Sequence, residues 1–319
     1  MTHSASPHSV ATSSPGSPTP AAHRPPAAGA LRPEIIQQAE QQARRAAEAS
    51  QVQVRQLTTL EEHTAAADLL DAIWNPDGDG ESVMQPGLLT AMEHAGSYVA
   101  GAWDRGDLVG VTIGFFGPPS AGLMHSHIAG VAPAAMRRGI GAAMKLHQRA
   151  WCLHHGVHTM EWTFDPLIAR NARFNLTRLG AQLAEYLPEF YGQMRDGINA
   201  GQGSDRALIR WHLDRQYPEV PEPAAATGEE AVLLHVGEDH QPRPVSDDAL
   251  AAAEAAGTDV LLQIPEDVEA LRSAAPKTAA QWRTALREAM HPLMAAGWTV
   301  AGLTAEGFYL LRPPAHSPR

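Results

Sequence analysis

The stretch that decides the fold reads GVAPAAMRRGIGA at residues 130–142. It leaves an apolar run, His125 to Val131, turns over glycines and enters a helix-forming run, Gly139 to His155. A second apolar run, Val157 to Phe164, follows directly. Strand, helix and strand in this order predict a βαβ unit with two parallel strands at the centre of the chain.

The segments on either side predict further strands and helices of one α/β domain. Before the unit, the patterns indicate a strand, a helix and a hairpin: Val52 to Arg55, Leu60 to Trp74, and Ser97 to Trp103 with Leu108 to Phe116. After it, Asp165 and Pro166 are typical of a helix start, and Gly180 of its end. Strands are then expected at Gln182 to Leu187 and Ala207 to Leu213. The predicted fold class is α/β, with a mixed central sheet flanked by helices.

Composition divides the chain into five parts. Residues 1–33 are rich in Ser, Pro, Ala and His and predict a disordered tail, and residues 34–50 favour a helix. The α/β domain occupies residues 51–213, a Pro/Ala/Glu linker residues 214–230, and a C-terminal α/β segment residues 231–314. In that segment Trp282, Leu286, Met290 and Leu293 form a helical core stripe, in which Pro292 is expected to kink or break the helix.

Length and charge exclude several functional classes. A chain of 319 residues can bury a real core, and its net charge of −11 disfavours binding to nucleic acid. No apolar stretch reaches the roughly 20 residues that span a bilayer. The lone Cys152 and the absence of a secretory signal predict a cytoplasmic protein.

The loop of residues 136–141 has the properties of a phosphate site. A helix start presents N–H groups without acceptors and the positive end of the helix dipole. Gly139 and Gly141 allow close approach of the backbone, and Arg137 and Arg138 add positive charge. The loop therefore predicts binding of a pyrophosphate or a ribose phosphate.

The sequence resembles the GNAT superfamily of CoA-dependent N-acyltransferases. The cofactor loop of that family reads Gln/Arg-x-x-Gly-x-Gly/Ala between a strand and a helix, and Met136 to Gly141 match it except that Met136 replaces the first residue. The order of elements also matches over Val52 to Leu213. Further stretches resemble a poorly characterised subset of the family: Ser126-His127, Trp162 to Leu167, Asn171 to Asn175, Tyr191 to Met194, Ser204 to Arg206, Ile264 to Glu266 and Trp282-Arg283.

The resemblance implies an acyl-CoA as co-substrate and an amine as acceptor. Some members of the subset are N-succinyltransferases acting on amino acids, so the acyl group is acetyl or succinyl and the acceptor a small molecule. The residues expected to contact the cofactor are Val131, Arg137, Arg138, Gly139, Ile140, Gly141, Ala142 and Asn171. Arg206 either pairs with an acceptor carboxylate or forms a surface ion pair.

Proton transfer needs a base and an acid. His127, on the strand before the loop, and Glu161, on the next strand, are the candidate bases. Many GNAT enzymes carry an acidic Tyr four residues before the helix-ending Gly, where this chain has Leu176; Tyr191 or Tyr186 is the candidate replacement. The missing Tyr leaves a second function open, a non-catalytic acyl-CoA-binding regulatory protein.

No metal is predicted. The histidine clusters, His125 with His127 and Cys152 with His154, His155 and His158, match no zinc spacing. Neither a nucleic acid nor a membrane is an expected partner, and whether the chain is a monomer or a homodimer stays open.

Overall fold

The computed structural model describes residues 32–75, 78, 81–192, 203–216, 222–244 and 247–314. The predicted tail, residues 1–33, therefore lies outside the described residues except for its last two positions. None of the described helices combines the length and the apolar character that crossing a bilayer requires.

The first part of the chain forms a seven-stranded mixed sheet. Its strands are β1 Gln53–Gln56, β2 Tyr98–Asp104, β3 Asp107–Phe116, β4 Leu123–Val131, β5 Thr159–Phe164, β6 Gln182–Leu187 and β7 Arg206–His212. The helices are α1 Pro33–Ala49, α2 Leu60–Trp74, α3 Pro86–His94, α4 Ile140–His154 and α5 Ala169–Ala172. The strand order is β1-β2-β3-β4-β5-β7-β6. Only β4 and β5 run parallel, and this is the pair that the βαβ pattern predicts.

Helices cover both faces of this sheet. The face that carries Val99, Val111 and Ile113 packs against Leu70 of α2 and Leu89 of α3. Helix α4 crosses the other face and buries eleven of its fifteen residues. Helix α1 packs against α4, and its Ala39 and Ala43 are buried.

The C-terminal part forms a separate five-stranded sheet. Its strands are β8 Ala231–Val236, β9 Pro242–Pro244, β10 Val260–Gln263, β11 Thr299–Leu303 and β12 Phe308–Arg312, in the order β11-β12-β10-β8-β9. Its helices are α6 Asp247–Ala256, α7 Val268–Ala274 and α8 Pro276–Ala295. The predicted fold class, a mixed sheet flanked by helices with a C-terminal α/β segment, is confirmed.

Of the two alternatives for Pro292, a break of the helix is wrong, because α8 continues through this residue to Ala295. The predicted core stripe around Trp282 is buried. The helix start expected at Asp165 is also wrong. A turn follows it, α5 begins at Ala169, and the chain continues as a π-helical turn, Arg173–Arg178. The end of this helical region at Gly180, with φ 63°, is as predicted.

Candidate active site

The two parallel strands part at the centre of the sheet. Leu123 to His125 pair with Thr159 to Glu161, and the ladder between β4 and β5 ends there. Strand β4 nevertheless continues to Val131, paired with β3 on its other side. From Ser126 onward the edge of β4 that faces β5 has no strand partner in the described part of the chain. Toward their carboxyl ends the two strands are therefore no longer paired with each other, and we call the gap between them the cleft.

The loop after β4 closes this cleft with exposed backbone amides. A short 3₁₀ turn, Pro133–Ala135, precedes it, and Gly139, with φ 86°, is the N-cap of α4. The N–H groups of Ala142 and Ala143 donate to Gly139 O at 3.0 and 3.1 Å. The four N–H groups of residues 138–141 donate to no acceptor among the described residues. Such a set at the positive end of a fifteen-residue helix suits an anion.

The two loop arginines differ in their surroundings. Arg138 donates from Nη1 to Asp104 Oδ2 at 2.7 Å and from Nη2 to Ser50 O at 3.3 Å, so it braces the loop against the β2–β3 hairpin and the end of α1. Arg137 is exposed, and its backbone has φ 65°. Of the two, Arg137 is the one placed to reach a phosphate without breaking an ion pair.

The glycines show how much room the loop leaves. A Cβ on Gly141 would meet only the ring of Phe174, at 4.0 Å, so the space above the first turn of α4 is open. A Cβ on Gly139 would lie 2.9 Å from Ser50 Oγ and would strain a left-handed residue. Gly139 is thus needed by the loop itself, whereas Gly141 leaves space that a bound phosphate can fill. The residues present fit the pyrophosphate of an acyl-CoA.

On the face of the sheet away from α4, aromatic and imidazole rings line β3 and β4. The rings of His125 and His127 lie 6.1 Å apart, and that of Phe115 lies 5.2 and 5.8 Å from them. His127 is the extra residue of a β-bulge, since Ile113 pairs with Ile128 but Gly114 with Ser126. Burial lowers the pKa of His127 below 6.5, so its imidazole is neutral and able to accept a proton at pH 7.

The opposite wall of the same face comes from β5 and the β6–β7 region. Glu161 is the register partner of His125, and its Oε1 accepts a hydrogen bond from Arg210 Nε at 2.6 Å. Two residues further on, the Thr163 hydroxyl lies 3.2 Å from the hydroxyl of Tyr191. His127, Glu161 and Tyr191 therefore border one side of the cleft. We call this side, with Phe115 and His125, the open face.

The remaining candidates occupy other positions. Arg206 is buried, 9% exposed, and its guanidinium lies 5.2 Å from the centroid of the Tyr191 ring. Asn171 is half buried on α5. Asn175 accepts a hydrogen bond from Trp162 Nε1. Tyr186 donates to Asp205 at 2.7 Å, and burial raises the pKa of its hydroxyl, so it cannot serve as an acid near pH 7.

The C-terminal segment holds the end of β5. Asp165, the residue after this strand, receives hydrogen bonds from Arg272 of α7 and Arg283 of α8. Burial opposes ionisation of Asp165, but the two guanidinium groups outweigh it and lower the pKa of its carboxyl. Arg287 binds Asp205 in the same way, beside Arg206. The C-terminal segment thus braces the wall that carries Thr163 and Tyr191.

Comparison with known proteins gives matches among solved structures. No protein-family model matches the sequence, and no curated protein does. A phosphinothricin acetyltransferase from Sinorhizobium meliloti, solved with AcCoA, has 16% identity and a TM-score of 0.43, over 54% of this chain and 96% of that one. A diaminobutyrate acetyltransferase from Paenibacillus lautus, solved with its substrate and coenzyme A, has 19% identity and a TM-score of 0.39, over 52% of this chain and 96% of that one. The ribosomal-protein-S18-alanine N-acetyltransferase from Escherichia coli has 13% identity and a TM-score of 0.41, over 53% of this chain and 98% of that one.

The fold is similar to that of GNAT acetyltransferases. The matched region covers about half of this chain and nearly all of each of these three solved structures.

Sequence reasoning missed three polar groups of the GNAT-like domain. Arg210 holds Glu161, Thr163 contacts Tyr191, and Lys145 lies buried beneath the cleft. Only Lys145 had a visible signal, because it and Lys277 are the only lysines in the sequence. The histidine and cysteine residues do not assemble a centre: across the described ranges, no group of three or more His, Cys, Asp or Glu is placed to hold a metal ion.

Proposed function

We propose that the chain transfers an acyl group, acetyl or succinyl, from an acyl-CoA to the amine of a small acceptor by direct attack. The observation that carries this proposal is the parting of β4 and β5 directly beside the N-terminus of α4 with its unpartnered amides. A long donor with a phosphate at one end and a reactive thioester at the other fits such a cleft. The bound acyl-CoA supplies the activated carbonyl carbon that the amine attacks.

The donor lies along the loop and the unpaired edge of β4. The N–H groups of residues 138–141 hold the pyrophosphate, helped by the dipole of α4 and by Arg137. Val131 contributes backbone groups at the end of β4, and Ala142 and Asn171 border the same space. Only backbone and small side chains approach the phosphates, which explains why Met136 can replace a polar residue at the start of the loop.

The acceptor lies on the open face, because α4 fills the other side of the sheet. His127 takes the proton that the attacking ammonium must lose, since its lowered pKa leaves the imidazole neutral. Glu161, held by Arg210, orders water or the acceptor, and Tyr191 limits the site at the far wall. Arg206, beside Tyr191, matches an acceptor that carries a carboxylate. These placements favour the amino group of an amino acid.

Two measurements test the proposal. Calorimetry gives the affinity for CoA, and free-thiol release from acetyl-CoA and succinyl-CoA is followed against a panel of amino acids and small amines. Thiol release above the rate of hydrolysis with at least one amine supports the transferase. Binding of CoA without release for any amine supports the regulatory alternative, and absence of binding removes both functions.

We propose the cytoplasm as the location, since Cys152 is unpaired.

A further inference from the structure

A buried polar cluster lies beneath the cleft on the side of α4. The ammonium group of Lys145 donates to Ser126 Oγ at 2.7 Å, and Ser126 donates to Gln148 Oε1 at 2.9 Å. Lys145 is 5% exposed, Ser126 3% and Gln148 0%. The proposed roles of the open face and of the loop use none of these three residues.

The amine of Lys145 touches both strands at the point where they part. Ser126 is the first residue of β4 beyond the parallel ladder. On the β5 side, Lys145 Nζ lies 4.0 Å from Met160 Sδ and 4.0 Å from the centroid of the Trp162 ring. The amine of Lys145 therefore lies at the base of the cleft.

Within the part of the chain that the structure describes, this amine has no carboxylate partner, since no Asp or Glu oxygen lies within 4.0 Å of it. Its described neighbours are a hydroxyl, an amide oxygen at 3.4 Å and the Trp162 ring. Burial lowers the pKa of Lys145 to about 7. Cys152 on α4 and His125 on β4 are the titratable groups that act on it, while β5 faces it with the uncharged Met160 and Trp162.

The geometry of α4 connects this amine with the phosphate site. Gly141 and Lys145 are four residues apart and share one face of the helix. Along β4, the five residue-to-residue steps from Val131 back to Ser126 span about 17 Å of strand. A donor that binds its phosphates at Gly141 and extends along this edge brings its thioester sulfur to the base of the cleft.

We propose that Lys145 is the proton donor to the leaving thiolate of the acyl donor. As the C–S bond breaks, one N–H bond of the ammonium breaks and an S–H bond forms, which leaves a neutral amine and a thiol. The amine then regains its proton from water, while the proton lost by the acceptor leaves through His127. Lys145 would thus supply the acid that many GNAT enzymes supply with a tyrosine, at the position where this chain has Leu176. This role rests on the proposed function.

The first test measures the lysine itself in the full chain. With lysine labelled by ¹³C at Cε, NMR should show two resonances, and Lys277→Met, which removes the exposed second lysine, assigns them. We expect Lys145 to titrate far below an ordinary lysine, and saturating CoA to raise its pKa more than desulfo-CoA does, because a thiolate stabilises the ammonium. Identical titrations with CoA and desulfo-CoA would overturn the assignment without any activity measurement.

The second test measures turnover. Wild type should lose kcat at high pH as Lys145 deprotonates. Lys145→Met and Lys145→Arg should remove this limb and lower kcat by ~10²-fold or more, because neither residue can donate a proton near pH 7. CoA affinity should change less than threefold, and Lys277→Met should match wild type throughout. A Lys145→Met chain that keeps both its rate and the high-pH limb refutes the donor role alone. A wild-type chain that does not bind CoA, or binds it without turnover, refutes the proposed function as well.

Discussion

The guanidinium of Arg283 donates two hydrogen bonds to the carboxylate of Asp165, at 3.0 and 2.6 Å, across 118 residues of sequence. The side chains are 4% and 7% exposed, so the pair is buried between the GNAT-like domain and the C-terminal segment. Arg272 binds the same carboxylate. This contact holds the carboxyl end of β5, one wall of the cleft, against α8.

Replacing Arg283 with Met should lower the free energy of unfolding by about 3 kcal/mol, because removing one partner of a buried ion pair leaves its charge poorly compensated. Urea unfolding followed by circular dichroism measures this. Arg170→Met, which removes the exposed pair with Glu269, is the control and should cost less than ~1 kcal/mol. Equal losses in the two variants would show that the Asp165 contact does not stabilise the fold.

The same pair predicts a loss of stability in acid. The folded pKa of Asp165 is lower than its unfolded value, so its contribution is complete above pH ~4 and is lost as the pH falls through the folded pKa. Between pH 5 and 3 the Arg283→Met chain should lose less stability than wild type. If the stability of the two chains falls equally between pH 5 and 3, Arg283 is not the cause of the lowered pKa of Asp165.

Gly141→Asp should weaken CoA binding at least tenfold, about 1.4 kcal/mol, because a carboxylate would face the phosphates. The fold should tolerate this change, since a Cβ there meets only Phe174 at 4.0 Å and an acidic residue suits the first turn of a helix. Calorimetry measures the affinity, with Gly141→Ala as the uncharged control. Unchanged affinity in a folded Gly141→Asp chain would remove the phosphate site from this loop.

If His127 is the base, kcat/KM at saturating acyl-CoA should rise with pH through a midpoint below 6.5, because burial lowers the pKa of its imidazole. His127→Ala should lose this limb and ~10²- to 10⁴-fold in rate. Glu161→Gln is measured under the same conditions as the comparison. If His127→Ala keeps both the rate and the limb, the base is Glu161 or the acceptor is already neutral.

Lys145→Met should change how stability depends on pH. An unfolded lysine keeps its proton up to about pH 10.5, whereas the buried one releases it near pH 7, so wild type gains stability as the pH rises between these values, by at most about 1.4 kcal/mol per unit. The variant should lack this gain. Unfolding in urea at pH 7.5 and 9 measures it, with Lys277→Met as control. The same slope in both variants would place the lowered pKa on another group.

Local patterns predicted most of the first sheet. Helix α2 has the predicted bounds, Leu60–Trp74, because Thr59 caps it and Glu62 completes a capping box. Strand β6 also has its predicted bounds. Helix α3 was missed, since its nine residues have only Pro86 as a start signal. The helix expected at Asp165 was wrong because its carboxylate binds Leu167 N and two arginines.

The sequence by itself determined the strand, glycine loop and helix of residues 125–155, since glycine torsions, helix termini and apolar periodicity act between near neighbours. Tertiary structure decided where β4 and β5 part, because that depends on pairing with β3 and β7. It also decided the chemistry of the polar groups. Lys145 looks like an ordinary helix residue in the sequence, and Asp165 like a cap. Burial lowers the pKa of Lys145, and two arginines more than 100 residues away compensate the charge of Asp165. Neither effect is visible in the sequence, because desolvation and charge act through space rather than along the chain.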